Sequence, residues 1–183
     1  MDIKEYPTLP GVRSLDLKLI PDERGFFMET YRESDFIKSG ISAHFVQDNH
    51  SGSRHGILRG LHYQIQHPQG KLLRVVVGEI FDVVVDLRKS SPTLGKWTGV
   101  NLSAQNKKQI WVPTGFAHGF YVVSEWAEVV YKTTDYYAPE FERSLLWNDP
   151  QISVKWPIQE GDMPLLSAKD KIGIPFSETE LFE

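Results

Sequence analysis

Four residues of this sequence have types and spacing suited to chemistry: His62, Lys71, His118 and Tyr131. His62 and Lys71 lie in the run GLHYQIQHPQGKLLRV, Gly60 to Val75, and His118 closes the run PTGFAH, Pro113 to His118. Tyr131 belongs to VVYKTTDYY. An imidazole titrates near physiological pH, so His62 can serve as a general base. The Lys71 ammonium can stabilise a developing oxyanion. Tyr131, on one strand face with Val129 and Thr133, can donate a proton. A base, an acid and a cation between them suit proton abstraction beside a carbonyl, the chemistry of an epimerase or isomerase. The residue types do not specify that reaction, and only the fold can make them converge.

The elements that must position these groups read as strands. KLLRVVVGEIFDVVVDLR holds two β-branched runs broken at Gly78-Glu79, and WTGVNLS, KKQIWVP, GFYVVS and AEVVYKTTDYY follow at short intervals. Many short strands with regular turn signals predict a sandwich or barrel. In FDVVVDLR, Phe81, Val83, Val85 and Leu87 share one face and Asp82, Val84, Asp86 and Arg88 the other, the pattern of a half-buried strand. Helix signals are few. SDFIKSG offers Ser34 as an N-cap and Gly40 as a stop, and PLLSAKDKIG is a second short candidate. Pro150, Pro157, Pro164 and Pro175 predict a C-terminal part that wraps the rest as irregular chain.

Composition narrows the classes. The 183 residues suit one domain, 1–183, with 40% hydrophobic and 24% charged residues, ordinary for a globular protein. A net charge of -4 gives no general electrostatic reason to bind nucleic acid or an anionic membrane. With no cysteine, disulfides, thiolate metal sites and cysteine nucleophiles are excluded. MDIKEYPTLPGV lacks the marks of a signal peptide and no apolar run could cross a bilayer, so a soluble cytoplasmic protein is expected. No Gly-rich dinucleotide fingerprint is present, in keeping with chemistry that uses no redox cofactor.

His62-Tyr63-Gln64 with Lys71 and Gly78, and Pro113-Thr114-Gly115-Phe116-Ala117-His118, together resemble the two motifs of the cupin superfamily. The first of those motifs carries His-x-His, a Glu and a closing Gly; the second carries Pro-x-Gly-x-x-His. The resemblance implies an all-β, cupin-type jelly-roll barrel with a few short peripheral helices. In metal-binding cupins three His and one Glu hold the ion. Here Gln64 stands for the second His and Lys71 for the Glu. An ammonium has no lone pair and repels a divalent ion in a low-dielectric pocket, so no metal site is expected.

Longer stretches carry a closer resemblance: DERGFFMETYRESDF, FVQDNHSGSRHGILRGLHYQ, QGKLLRVVVGEIFDVVVDLR, WVPTGFAHGF, VVYKTTDYYAPEFERSLLWNDP and LLSAKD. In order and over nearly the whole chain they resemble the dTDP-4-dehydrorhamnose 3,5-epimerases of bacterial rhamnose synthesis. That implies His62 as proton acceptor oriented by Asp170, Tyr131 as donor from the opposite face of the sugar, and Lys71 as stabiliser of the enolate. It implies His118 in the sugar pocket, Arg59 and Arg24 on the diphosphate, and Tyr137 stacked on the thymine. Glu29, Gln47, Asp48, Asn49, Glu142 and Lys169 match further substrate-contacting positions. It also implies a cofactor-independent homodimer in which N-terminal strands pair with the neighbouring subunit and Arg24 and Glu29 serve the partner's site.

Plainer readings stand beside these. Ser167-Ala168-Lys169-Asp170 has capping-box spacing, and by spacing alone Asp170 is a helix cap; both roles can hold. On residue type alone Tyr131, Tyr136 and Tyr137 are better read as strand and edge aromatics. DERGFF also reads as a hairpin with Arg24-Gly25 at its tip. A single-carbon epimerase and a non-catalytic sugar-binding cupin share this scaffold and remain open.

Overall fold

The computed structural model describes all 183 residues. Its strands, in chain order, are β1 (Asp2–Glu5), β2 (Arg13–Asp16), β3 (Leu19–Asp22), β4 (Gly25–Met28), β5 (Gln47–Arg54), β6 (Leu58–Gln64), β7 (Lys71–Val77), β8 (Glu79–Asp86), β9 (Trp97–Ser103), β10 (Gln109–Val112), β11 (Phe116–Val122), β12 (Trp126–Thr133) and β13 (Glu142–Ser144). Two short helices, α1 (Glu33–Lys38) and α2 (Ala168–Lys171), lie outside them. One sheet has the order β1-β2-β10-β7-β12-β5, the other β13-β6-β11-β8-β9, and β3-β4 form a separate hairpin. From β5 onward the chain changes sheet at every connection except β8 to β9. This is the expected jelly roll, and it explains how residues far apart in sequence come to face one interior.

Side-chain alternation divides that interior into two ends. Inward positions run Lys71-Leu73-Val75 along β7, His118-Phe120-Val122 along β11 and Thr133-Tyr131-Val129 along β12. The register places Thr133 opposite Lys71, Tyr131 opposite Leu73 and Val129 opposite Val75. Each strand therefore contributes polar groups at one end and core at the other. Leu73, Val75, Val84, Ile110, Val122 and Val129 belong to one buried apolar cluster at the closed end. Burying such side chains contributes roughly 1.5–3 kcal/mol each, which lets the other end be polar.

β8 departs from the half-buried expectation, because both of its faces are buried from Asp82 to Asp86. Val83, Val85 and Leu87 point outward beneath Trp156, Phe176 and Phe182 of the C-terminal wrap. Asp82 and Asp86 are fully buried: Asp86 is held by Arg88, Ser91 and Thr93, whereas Asp82 meets His118 through Oδ2 and leaves Oδ1 without a partner. α1 also differs from expectation. Arg32, not Ser34, occupies the N-cap and makes no side-chain cap, while Glu33 and Asp35 supply first-turn negative charge. Ser39 ends the helix and Gly40 follows at φ +81, the left-handed stop expected there. The DERGFF turn is shifted by one: Asp22 pairs with Gly25, so Glu23-Arg24 form the tip.

Candidate active site

The polar end of the sandwich encloses a cavity of about 610 Å³ lined by His62, Lys71, His118, Tyr131 and Asp170. Arg59, Tyr137, Glu142 and Lys169 line it as well, and Leu73 and Phe120 form part of its floor.

His62 projects from β6, and its Nε2 lies 2.5 Å from Asp170 Oδ1. Asp170 is only 2% exposed. Its other oxygen accepts from Ser167 Oγ at 2.7 Å, and Ser167 Oγ accepts from the Asp170 backbone N–H at 3.3 Å. The cap and the histidine partner are thus one arrangement, in which capping α2 fixes the carboxylate that orients the ring. With Nε2–H donated to Asp170, Nδ1 keeps the free lone pair a base needs. Burial pushes the His62 imidazole below its usual range, and Asp170 restores it only in part. Burial would raise the Asp170 carboxyl, but the hydrogen bonds from His62 and Ser167 hold it low. The pair therefore rests as neutral imidazole and carboxylate at neutral pH.

His118 stands directly opposite His62 across the β11–β6 pairing. Its Nε2 lies 2.8 Å from Asp82 Oδ2, both residues being buried. Asp82 escaped the sequence reading, which placed it on a solvent face; the available signal was a pair of carboxylates bracketing Val83-Val84-Val85 in a strand. Lys71 enters from the facing sheet and takes part in none of the chain's ion pairs, such as Lys169–Glu142 nearby. Burial drives its ammonium down to about 8, with Asp82 and Glu142 opposing that shift and Lys169 adding to it. The cavity thus holds a cation without a salt-bridge partner, the property required of a group that must greet new negative charge.

Arg59 and His62 are three apart and would face opposite ways in a regular strand. The β11–β6 register slips between His118, opposite His62, and Phe120, opposite Arg59. The irregularity turns both side chains into the cavity. It needs two glycines: a Cβ on Gly60 would lie 2.5 Å from Gly119 Cα, and one on Gly119 would lie 2.5 Å from the Arg59 carbonyl oxygen. Arg59 Nε is steadied by Ser53 Oγ at 2.9 Å. The Tyr131 phenol is free of hydrogen bonds within the chain, and burial raises it above its ordinary range, with Arg59 opposing. It therefore remains a proton donor throughout the neutral range.

At the mouth, Tyr137 OH donates to Glu142 Oε2 at 2.9 Å, and Lys169 Nζ donates to Glu142 Oε1 at 2.7 Å. Gln47 and Asn49 reach the cavity from alternate positions of β5 and are bonded to each other at 2.9 Å. Three expected contacts are not brought here within the single chain. Asp48, between Gln47 and Asn49, faces the other side of the sheet and binds Lys132 at 2.9 Å. Arg24 sits at the β3–β4 tip, paired with Asp22, and Glu29 is paired with Arg32 at 2.6 Å.

The donor set does not suit a metal. No three His, Cys, Asp or Glu side chains converge anywhere in the chain. His62 and His118 each spend Nε2 on a carboxylate, and the Gln64 amide is bonded to backbone.

A jelly roll whose polar end joins a carboxylate-oriented histidine, a phenol and an unpaired lysine in one cavity is a cupin-type barrel equipped as an isomerase would be to move protons beside a carbonyl. Comparison with known proteins gives the particular family. The sequence pattern of dTDP-4-dehydrorhamnose 3,5-epimerases matches residues 7–178. The dTDP-4-dehydrorhamnose 3,5-epimerase of Pseudomonas aeruginosa is 54% identical over 175 residues, covering 95% of this chain and 96% of that one. The crystal structure of the Legionella pneumophila dTDP-6-deoxy-D-glucose-3,5-epimerase, in complex with dTDP-4-keto-L-rhamnose, superposes with TM-score 0.93 at 47% identity. That match covers 98% of this chain and 94% of the other. A 3'-monoepimerase of Streptomyces bikiniensis shares the fold at TM-score 0.87 and 30% identity, over 95% of this chain and 88% of its own. The chain belongs to the dTDP-4-dehydrorhamnose 3,5-epimerase family, and it is an epimerase.

Proposed function

We propose that this chain converts dTDP-4-dehydro-6-deoxy-D-glucose to dTDP-4-dehydro-L-rhamnose in rhamnose synthesis, inverting C3 and C5 without a cofactor. The observation that carries the reading is the placement of His62, Lys71 and Tyr131 around one cavity large enough for a nucleotide sugar. The C4 ketone acidifies the hydrogens at C3 and C5. His62 takes one, Lys71 stabilises the oxyanion of the resulting enolate, and Tyr131 returns a proton to the opposite face. His62 then releases its proton to solvent, Tyr131 recovers one, and the cycle repeats at the second carbon. Arg59 holds the diphosphate, where a guanidinium fork suits phosphate oxygens, and Tyr137 stacks on the thymine. His118, Gln47, Asn49, Glu142 and Lys169 bound the sugar and nucleotide.

The functional unit is a homodimer in the cytoplasm. The β3–β4 hairpin belongs to neither sheet and leaves Phe26 55% and Phe27 64% exposed. Aromatic surface of that kind marks a contact face. Arg24 at the hairpin tip and Glu29 just beyond it then reach the partner's cavity, which accounts for their distance from their own. Sedimentation at micromolar concentration tests this; a monomer with full activity refutes it. No helix is long and apolar enough to cross a membrane.

The likeness to a 3'-monoepimerase makes single-carbon inversion the second reading, since the fold is common to both. Proton NMR in heavy water, with the substrate and no added metal, separates them. Deuterium entering at both C3 and C5, with the L-sugar captured by a reductase, is the expected result. Exchange at one carbon assigns the monoepimerase, and no exchange overturns the enzymatic role of this cavity.

A further inference from the structure

Gln64 stands where a metal-binding cupin would carry a ligand, and the reaction above does not use it. It is 4% exposed, and both hydrogens and the oxygen of its amide are engaged. Nε2 donates to the His67 carbonyl at 2.7 Å and to the Tyr136 carbonyl at 3.2 Å, and Oε1 accepts from the Ala138 N–H at 2.9 Å. Two of these three bonds grip the residues on either side of Tyr137. Two other glutamines complete the hold. Gln69 Nε2 donates to the Asp135 carbonyl at 2.9 Å, and Gln47 Oε1 accepts from the Tyr137 N–H at 3.1 Å. The segment 135–138 is therefore fixed at four successive residues by side chains from β5, β6 and the β6–β7 loop. Tyr137 itself remains 51% exposed at the cavity mouth. With little packing around it, the ring is held at its tip by the hydrogen bond from its hydroxyl to Glu142, and its other end can be set only through the backbone.

We infer that Gln64 is a positioning residue for nucleotide binding, holding Tyr137 in place through the backbone of Tyr136 and Ala138. The inference rests on the stacking role proposed for Tyr137. The position that would ligate a metal in a related barrel has become a clamp on the strand-end loop that faces the base.

The test is dTDP affinity by calorimetry, with kcat and KM, on full-length protein. Gln64→Leu removes all three bonds at similar volume; Gln64→Glu keeps the acceptor and loses both donors. We expect Gln64→Leu to weaken dTDP roughly tenfold and Gln64→Glu by at least as much, since a carboxylate oxygen then faces the His67 and Tyr136 carbonyls, with kcat at saturation within about twofold of wild type. In a Tyr137→Ala background Gln64→Leu should add less than about twofold, because it acts through a ring no longer there. A full tenfold loss persisting in that background overturns the inference, and so does unchanged affinity in Gln64→Leu. Unchanged affinity in Tyr137→Ala alone overturns the stacking role and the inference with it. If neither Gln64 variant folds, amide exchange on the wild type decides: the Ala138 N–H should exchange as slowly as strand amides, and exchange at loop rates refutes the clamp.

Discussion

Asp170→Asn is the substitution that most directly probes the base. Asparagine keeps an acceptor at the position of Oδ1 and can still cap α2 with Ser167, so the fold and the ring orientation should survive. What it removes is the negative charge facing the imidazolium that forms when His62 takes a proton. With Nε2 and Oδ1 2.5 Å apart, the two charge centres lie about 4 Å apart, worth roughly 4 kcal/mol at an effective dielectric near 20. That corresponds to about a thousandfold in rate. The lower bound is the difference between a charge-assisted and a neutral hydrogen bond, about 1 kcal/mol or somewhat over fivefold. The assay is deuterium incorporation at C3 and C5 under single-turnover conditions, so that product release does not mask chemistry. We predict a loss between about fivefold and about a thousandfold at both carbons, with dTDP affinity unchanged. Exchange within about threefold of wild type would show that the Asp170 charge does not support the base, and would return Asp170 to a helix cap alone.

Four further outcomes are expected. Activity should fall on the alkaline side near pH 8, because the Lys71 ammonium is driven down to about 8 and rising pH removes the cation that the enolate requires; a limb that stays there in Lys71→Arg belongs to another group. On the acid side the rate should hold to below the usual imidazole range, since burial lowers the His62 value and the base works only when neutral. Tyr131→Phe should impair product formation more than solvent exchange, because abstraction by His62 does not need the phenol; equal loss of both would give Tyr131 a different role. Protein purified without chelator should carry far less than one metal per chain and lose no activity to EDTA, an outcome that stoichiometric, activity-supporting metal would reverse.

The strands that were legible in sequence are those whose buried faces are apolar over part of their length: β7, β8, β9, β10, β11 and β12 all fall within runs that carry Val, Ile, Leu or aromatic residues. β5 was not. Its inward residues are Gln47, Asn49, Ser51 and Ser53, so QDNHSGSR shows no hydrophobic alternation, and pairing with β12 along eight residues holds it in the sheet. A strand that lines a polar cavity loses the very pattern by which strands are recognised. The same cause hid Asp82, whose inward position beside His118 looks like a solvent face until the opposite face is seen to be covered. Nor could alternation place Arg59 with His62, since the slip at Gly60 and Gly119 reverses its parity. His62, Lys71, His118 and Tyr131 were legible as chemical types, but their convergence depends on the alternation of the chain between sheets.

The His62–Asp170 bond joins residues 108 positions apart. During synthesis the histidine, the lysine and the phenol are all made before the carboxylate that aligns the ring. Both sheets, β1 to β13, are encoded by then. A nascent or clipped chain ending before α2 holds every strand of both sheets, yet it lacks Phe176 and Phe182 over β8 and, on the roles proposed above, its base has no orienting partner. On that proposal turnover requires the C-terminal wrap to have docked, not merely the barrel to have closed.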